Sequence, residues 1–315
     1  MLKHLKSKWT LMLLLLLVLG NIILYNHAYH LTHFVEKKSI STKKPIEQIS
    51  FFEKVKLAFT GVQIPKPSSD ILPNSNYETI YLNGGIDTLE TWWIPHQKAK
   101  GIVILFHGYA GEKSSLLPYS SILYELEYST LLVDFRGSGG SSGYTTTIGY
   151  HEANDVALAY QYIKKKLPSQ QITLLGISMG AAATMKAVSD DLVQPDKIIL
   201  ECPFESLVST TYRRFEAFGV PAFPTAELLL WYGGLQSNFD PFSHRPVDYA
   251  TEITIPTLLQ FGAKDQRVNR SEIDNIYNKL SGEKQLQIYP NAGHEIYLND
   301  HADEWKSVVS KFLAQ

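Results

Sequence analysis

The chain has 315 residues, 44% of them hydrophobic and 12% aromatic, which is enough to bury one large core or two modest ones. Its formal net charge of -2 provides no electrostatic attraction for nucleic acid, so we exclude nucleic acid as a partner. The only cysteine, Cys202, excludes a disulfide framework and a cysteine-based zinc site; we expect it to be a small buried hydrophobe, and we expect no metal or cofactor.

The amino terminus carries a membrane signal. Residues 1–8 are basic, and an uncharged, mainly apolar stretch follows from Trp9 to Leu24. We predict a transmembrane signal anchor over residues 9–25, which makes the chain a single-pass membrane protein. The best cleavage site places Asn26 where a small residue is preferred, so an uncleaved anchor is favoured over a cleaved signal peptide. Lysines before the span favour a main domain outside the cytoplasm, although lysines beyond the span oppose this orientation.

Residues 26–76 are predicted to form a linker that contains one amphipathic helix. Apolar residues recur at spacings of three and four between Ile46 and Phe59, which is the period of a helix. This helix either packs against the main domain or lies on the membrane surface.

Eight short apolar runs predict the strands of a main domain over residues 77–315. The first two, YETIYLN and TLETWWIP, are joined by a turn-like GGID and predict an antiparallel hairpin. The next six are GIVILFHG, STLLVDFRG, QITLLGIS, KIILECPF, PTLLQFG and KQLQIYP. Helix-like segments alternate with the strands, so we predict an α/β fold with a mostly parallel, eight-stranded sheet flanked by helices.

The interval after the sixth strand, about residues 205–254, is too long for a simple crossover. It is rich in aromatic residues and contains the apolar patch AELLLWYGG. Because sites of α/β proteins lie at the carboxyl ends of the strands, we predict a small cap over a pocket. Trp231, Leu230 and Phe223 are candidate substrate-binding residues in this cap. The alternatives are an ordinary pair of helices that completes the core, or a patch that contacts the membrane.

The motif GISMG at residues 176–180 predicts a nucleophilic serine. The buried strand ITLLG enters it and the helix sequence AAATMKAV leaves it, so Ser178 lies at a strand-to-helix turn. The small residues around Ser178 allow a tight turn, which exposes the serine hydroxyl at the end of the strand.

A serine hydroxyl needs a base, and the base needs an acid to orient it. Asp265 follows the seventh strand in FGAKDQRV, and His294 follows the eighth strand in YPNAGHE. Both residues are therefore at strand ends, and we predict the catalytic set Ser178, Asp265 and His294 in that chain order.

The loop HGYAG at residues 107–111 follows the third strand and completes the site. Its position predicts that the backbone N–H groups of Tyr109 and Met179 form an oxyanion hole. We expect His107 to brace this loop, which leaves His294 as the base.

These motifs resemble the α/β-hydrolase superfamily. From about Tyr77 to the end, HGYAG, DFRGSGGSSG, GISMG, GAKDQRV and NAGHE are similar to the serine hydrolase branch that contains monoacylglycerol lipases, serine aminopeptidase-like proteins and acyl-protein thioesterase-like proteins. The resemblance implies an α/β-hydrolase fold with Ser178, Asp265 and His294 as nucleophile, acid and base.

We therefore expect a membrane-anchored serine hydrolase that cleaves carboxylic esters or thioesters through an acyl-enzyme. Its expected partners are a small-molecule or lipid acyl substrate and the membrane, which it enters through the amino-terminal helix. An aminopeptidase or amidase of the same fold is the enzymatic alternative, and it would need acidic groups that bind the substrate ammonium. A catalytically silent membrane-linked binding protein is the non-enzymatic alternative.

Overall fold

One eight-stranded sheet organises the structure, a computed structural model that describes residues 2–36, 52, 59–85, 87–217, 219, 221–294 and 296–315. The strands are β1 (Glu78–Asn83), β2 (Thr88–Ile94), β3 (Ile102–Phe106), β4 (Ser129–Val133), β5 (Ile172–Ile177), β6 (Lys197–Glu201), β7 (Thr257–Gly262) and β8 (Lys284–Tyr289). The described α-helices are α1 (Leu2–Thr32), α2 (Leu117–Glu125), α3 (Glu152–Lys166), α4 (Met179–Ser189), α5 (Leu207–Ala217), α6 (Thr225–Ser237), α7 (Pro246–Tyr249), α8 (Arg270–Lys279) and α9 (Leu298–Leu313).

The sheet has the strand order β1-β2-β4-β3-β5-β6-β7-β8. The hairpin of β1 and β2 is antiparallel, β2 pairs antiparallel with β4, and every later pairing is parallel. The prediction of an eight-stranded, mostly parallel sheet flanked by helices is confirmed.

The central strands are apolar on both faces because helices cover the sheet on each side. In β3, Ile102, Ile104 and Phe106 belong to the core on one face, whereas Val103 and Leu105 belong to the core on the other. All five residues of β3 are buried, and those of β4 are buried as well. The continuous apolar runs of the sequence thus reflect two cores that share one sheet.

The strand order places a crevice at the carboxyl ends of β3 and β5. The chain leaves β3 to form β4 on one side, and it later returns to form β5 on the other side. At such a reversal the two outgoing loops diverge, which leaves space between them for a ligand. The loops at this point contain HGYAG and GISMG.

The amino-terminal helix α1 contains the predicted membrane span and extends beyond it. The stretch Lys8–Thr32 contains 18 consecutive residues with a mean hydropathy of 2.0, and it is the one helix among the described residues that is long and apolar enough to cross a membrane. Helix α1 packs along α6, where the hydroxyl of Tyr232 donates to Asn21 Oδ1 at 2.6 Å. The helix predicted between residues 46 and 59 falls largely outside the described residues.

The carboxyl end of α1 is attached to the main domain. The N–H of Thr146 donates to the carbonyl of Thr32 at 2.9 Å, and the N–H of Phe34 donates to the carbonyl of Tyr144 at 2.6 Å. Both Thr32 and Phe34 are buried. This end of the span therefore lies against the loop between β4 and α3.

Candidate active site

The turn after β5 holds Ser178 in a strained conformation. Its φ of 52° lies in the left-handed region that non-glycine residues rarely adopt, and such strain is concentrated at functional sites. The flanking glycines make the turn possible. A Cβ on Gly180 would lie 2.4 Å from the carbonyl oxygen of Phe106, and one on Gly176 would lie 2.4 Å from the oxygen of Gly180. Only glycine allows this close approach of the β5–α4 turn to the end of β3.

The structure brings the three predicted catalytic residues together. His294 Nε2 lies 3.0 Å from Ser178 Oγ, and His294 Nδ1 lies 2.7 Å from Asp265 Oδ2. The other carboxylate oxygen of Asp265 accepts the N–H groups of Arg267 at 2.7 Å and Val268 at 2.9 Å. Asp265 is thus fixed by its own loop, and it orients the imidazole toward the serine hydroxyl. In this arrangement Nε2 can remove the hydroxyl proton while the carboxylate stabilises the imidazolium.

The two predicted oxyanion donors line the same cavity as Ser178. Met179 begins α4, so its N–H has no partner within the helix. Among the described residues, no backbone acceptor faces the N–H of Tyr109. Both N–H groups are therefore available to a negatively charged oxygen beside Ser178.

The side chain of Tyr109 connects the loop after β3 to α1. Its hydroxyl donates to the carbonyl of Leu31, near the end of α1, at 2.7 Å. Burial raises the pKa of this phenol to about 12, so it remains a donor at neutral pH.

His107 braces the loop after β3, as the sequence predicts. It is fully buried, its Nε2 accepts the N–H of Phe135 at 3.1 Å, and its Nδ1 lies 2.8 Å from the carbonyl of Gly108. Burial lowers the pKa of this imidazole, which keeps it neutral. Both ring nitrogens are occupied by backbone partners, so His107 is not available as the base.

Cys202 is buried, as expected, but it also lies beside His294, the predicted base. A ring nitrogen of His294, a carboxylate oxygen of Asp265 and Cys202 Sγ all lie within 4.8 Å of one another. Sequence reasoning missed this proximity. The position of Cys202 directly after β6 could have indicated it, because the carboxyl ends of parallel strands meet at one edge of the sheet.

A cavity of about 300 Å³ opens beside Ser178. Apolar side chains form part of its wall, among them Ile148, Phe204, Val268 and Ile296. Three arginines also line it: Arg213 and Arg214 from α5, and Arg267 from the loop after β7. Sequence reasoning assigned no role to these arginines. A local signal existed for Arg267, which follows the predicted acid by two positions.

The residues predicted to bind substrate from the cap do not line this cavity, which corrects their placement. Leu230 is buried in the core, whereas Phe223 and Trp231 are 73% and 49% exposed. The apolar patch of α6 packs against α1 instead, because an apolar span beside it offers a surface of matching character. Helix α5 takes the place beside the cavity that we predicted for α6.

The environment of His294 leads to a prediction about pH. Burial lowers the pKa of this imidazole, but the sulfur of Cys202 and the carboxylate of Asp265 outweigh burial and raise the pKa above its ordinary 6.5. A general base works in its neutral form, so kcat/KM for a neutral ester should rise with pH and reach half its maximum above pH 6.5. A midpoint of the wild-type kcat/KM profile at or below pH 6.5 would contradict this account. The midpoint is a suitable measure because it does not depend on the fraction of active enzyme.

Comparison with protein families yields two matches. Residues 97–235 match the family described as "Serine aminopeptidase, S33", and residues 235–315 match "PhoPQ-activated pathogenicity-related protein". The protein YqkD of Bacillus subtilis is 26% identical over 222 residues, which cover 70% of this chain and 72% of YqkD.

Solved structures share the fold. The esterase Pf2001 of Pyrococcus furiosus is 26% identical with a TM-score of 0.66, and the match covers 79% of this chain and 97% of the esterase. An esterase from Exiguobacterium antarcticum is 19% identical with a TM-score of 0.57, and the match covers 76% of this chain and 100% of that esterase. The eight-stranded sheet and its flanking helices are thus shared with known esterases.

Proposed function

Because the chain belongs to the α/β-hydrolase superfamily, we propose that it is a membrane-anchored serine hydrolase of carboxylic esters or thioesters. One observation carries the proposal: His294 Nε2 lies 3.0 Å from Ser178 Oγ while its other ring nitrogen is held by Asp265. A serine placed in this way is an activated nucleophile. The esterase Pf2001, which is 26% identical, is named for ester hydrolysis, and this similarity favours esters as the substrate class.

The reaction proceeds through an acyl-enzyme. Ser178 Oγ attacks the carbonyl carbon of the ester while its proton passes to His294 Nε2. The carbonyl oxygen becomes an oxyanion and accepts hydrogen bonds from the N–H groups of Tyr109 and Met179. The protonated His294 then gives its proton to the departing alcohol or thiol. Water repeats the sequence on the acyl-enzyme and releases the acid.

The apolar part of the cavity wall suits an acyl group. Ile148, Phe204, Val268 and Ile296 present hydrocarbon surface beside Ser178. Each buried methylene of an acyl chain contributes about 0.8 kcal/mol to binding. This wall supports a lipophilic acyl substrate.

The cavity wall disfavours the aminopeptidase alternative. An aminopeptidase must bind the ammonium of its substrate with acidic groups, yet the described residues of this wall include arginines and no aspartate or glutamate. A catalytically silent role is disfavoured too, because every part of the predicted catalytic set is present.

The position of the enzyme follows from α1. The stretch Lys8–Thr32 is long and apolar enough to cross a membrane, and its end packs on the loop before α3. We propose a single membrane pass with the catalytic domain outside the cytoplasm, in accord with the lysines that precede the span.

Labelling with a fluorophosphonate tests the nucleophile and the anchor together. Membranes that contain the full chain are washed with high salt and carbonate, then treated with the probe. We expect a labelled band in the pellet, no label in Ser178→Ala, and full label in the control Ser121→Ala, which alters an exposed serine on α2. A membrane-impermeant probe should give the same band in intact cells.

Each part of this proposal can fail separately. Absence of label on pelleted, folded wild-type protein would contradict the serine mechanism. Release of labelled protein by carbonate would contradict the anchor, and protection of Ser178 from the impermeant probe in intact cells would contradict the orientation.

A further inference from the structure

The cavity beside Ser178 carries excess positive charge. Arg213, Arg214 and Arg267 contribute to its wall, and no carboxylate does among the described residues. The charge of Arg213 is compensated by Glu272, which is not part of the cavity wall: Arg213 Nε lies 3.0 Å from a carboxylate oxygen of Glu272. The charge that faces the cavity therefore comes from the other two arginines.

Arg214 has no acidic partner among the described residues. Its guanidinium lies 5.5 Å from the ring centre of Tyr109, and no described carboxylate oxygen is within 4.0 Å of it. Burial and the nearby charge of Arg267 both disfavour its protonated form and lower its pKa. Arg267 is exposed, so solvent screens part of the repulsion between the two guanidinium groups, and half-buried Arg214 carries most of the uncompensated charge.

An anion in the cavity would relieve this repulsion. Guanidinium groups are less strongly hydrated than ammonium groups, and their planar donors match the oxygens of a carboxylate or phosphate. We propose that the substrate of this enzyme carries an anionic group, a carboxylate or a phosphate, which binds to Arg214 and Arg267 while its ester lies at Ser178. This inference rests on the proposed ester hydrolysis and specifies its substrate class.

The position of Arg214 beside the loop of residues 107–111 provides a geometric reason for the same proposal. Its guanidinium contacts the ring of Tyr109, whose N–H is a predicted oxyanion donor, and both residues line the same cavity as Ser178. An anion bound there occupies the same cavity as the reacting carbonyl. The charge and the ester must therefore belong to neighbouring parts of one small molecule.

Matched pairs of substrates test this inference. In the first pair the acyl group differs in charge: 4-nitrophenyl hemiglutarate is compared with its methyl ester. In the second pair the leaving group differs: 1-decanoylglycerol 3-phosphate is compared with 1-decanoylglycerol in neutral detergent micelles. For at least one pair the full-length enzyme should prefer the anionic member by about tenfold or more in kcat/KM, the factor expected for a charge-assisted hydrogen bond. The pair that shows the preference identifies the anion as a carboxylate on the acyl side or a phosphate on the leaving group.

Arginine variants connect the preference to the cavity. In Arg214→Gln the ratio of the two kcat/KM values should fall toward one, and Arg214→Lys should restore part of it. The control Arg270→Gln, on an exposed side chain that pairs with Asp274 outside the cavity wall, should keep the wild-type ratio. Higher salt should reduce the wild-type ratio, because it screens a partly exposed charge. The ratio of the two kcat/KM values does not depend on how much of a variant is folded, because both substrates are measured on the same protein.

The outcomes separate this inference from the proposed function. Equal kcat/KM values within both pairs would overturn the anionic substrate, as would a preference that Arg214→Gln leaves intact. Hydrolysis of the neutral esters that persists in Ser178→Ala would instead overturn the proposed serine mechanism.

Discussion

Alanine at Ser178 or at His294 should lower kcat for a neutral ester by a factor on the order of 10⁵ to 10⁶. Ser178 Oγ and His294 Nε2 lie 3.0 Å apart and act as one unit, because the hydroxyl is a nucleophile only while the imidazole can take its proton. The double variant should therefore be little worse than either single variant. Steady-state rates on a 4-nitrophenyl ester, measured with protein of verified purity, provide the comparison.

Matched controls separate loss of chemistry from loss of structure. Ser121→Ala and His96→Ala replace the same residue types outside the cavity wall and should retain activity. Circular dichroism should show that Ser178→Ala and His294→Ala remain folded. For Ser178, the native backbone conformation already costs free energy, so the site is not one on which the stability of the fold depends. A second loss of several orders of magnitude in the double variant would mean that the two residues act independently, contrary to the proposed mechanism.

Asparagine at Asp265 should lower kcat by about 10⁴-fold. One oxygen of Asp265 accepts two backbone N–H groups, and the amide oxygen of asparagine can replace it there. The amide nitrogen must then face His294 Nδ1, which would become an acceptor. The proton of the neutral imidazole would move to Nε2, where it prevents removal of the Ser178 proton. The variant should keep its fold and lose its base.

The corresponding control is Asp248→Asn. Asp248 is exposed and pairs with Arg245 and Lys279 on the surface, so its loss should change kcat by less than about twofold. If Asp265→Asn retained the wild-type rate, another carboxylate would have to orient His294 and the assignment of the acid would be wrong. The pH profile of the residual activity distinguishes a misdirected base from a missing one, because only the former still titrates.

The candidate site was predictable because its chemistry lies at strand ends. Ser178, Asp265 and His294 each follow an apolar run that forms a buried strand, and parallel strands bring their carboxyl ends to one edge of the sheet. Local periodicity therefore located three residues that are far apart in sequence. The predicted oxyanion donors Tyr109 and Met179 follow from the same reasoning, since each comes directly after a strand or its turn.

The cavity wall was not predictable in the same way. Trp231 and Leu230 form part of an apolar patch whose composition suits a pocket roof, a core helix and a membrane contact equally well. The choice among these depends on α1, which packs on α6 although some 200 residues separate the two helices. No pattern within either segment specifies that contact.

The sequence by itself determined the sheet, the membrane-length helix and the chain order of the candidate catalytic residues, because hydrophobic periodicity and turn residues act over a few neighbouring positions. Only the tertiary structure decided what surrounds Ser178. It places Cys202 and two arginines without described acidic partners beside the reacting groups, and it turns the patch of α6 toward α1. These outcomes depend on the fit and charge of surfaces from distant segments, which interact only after the chain has folded.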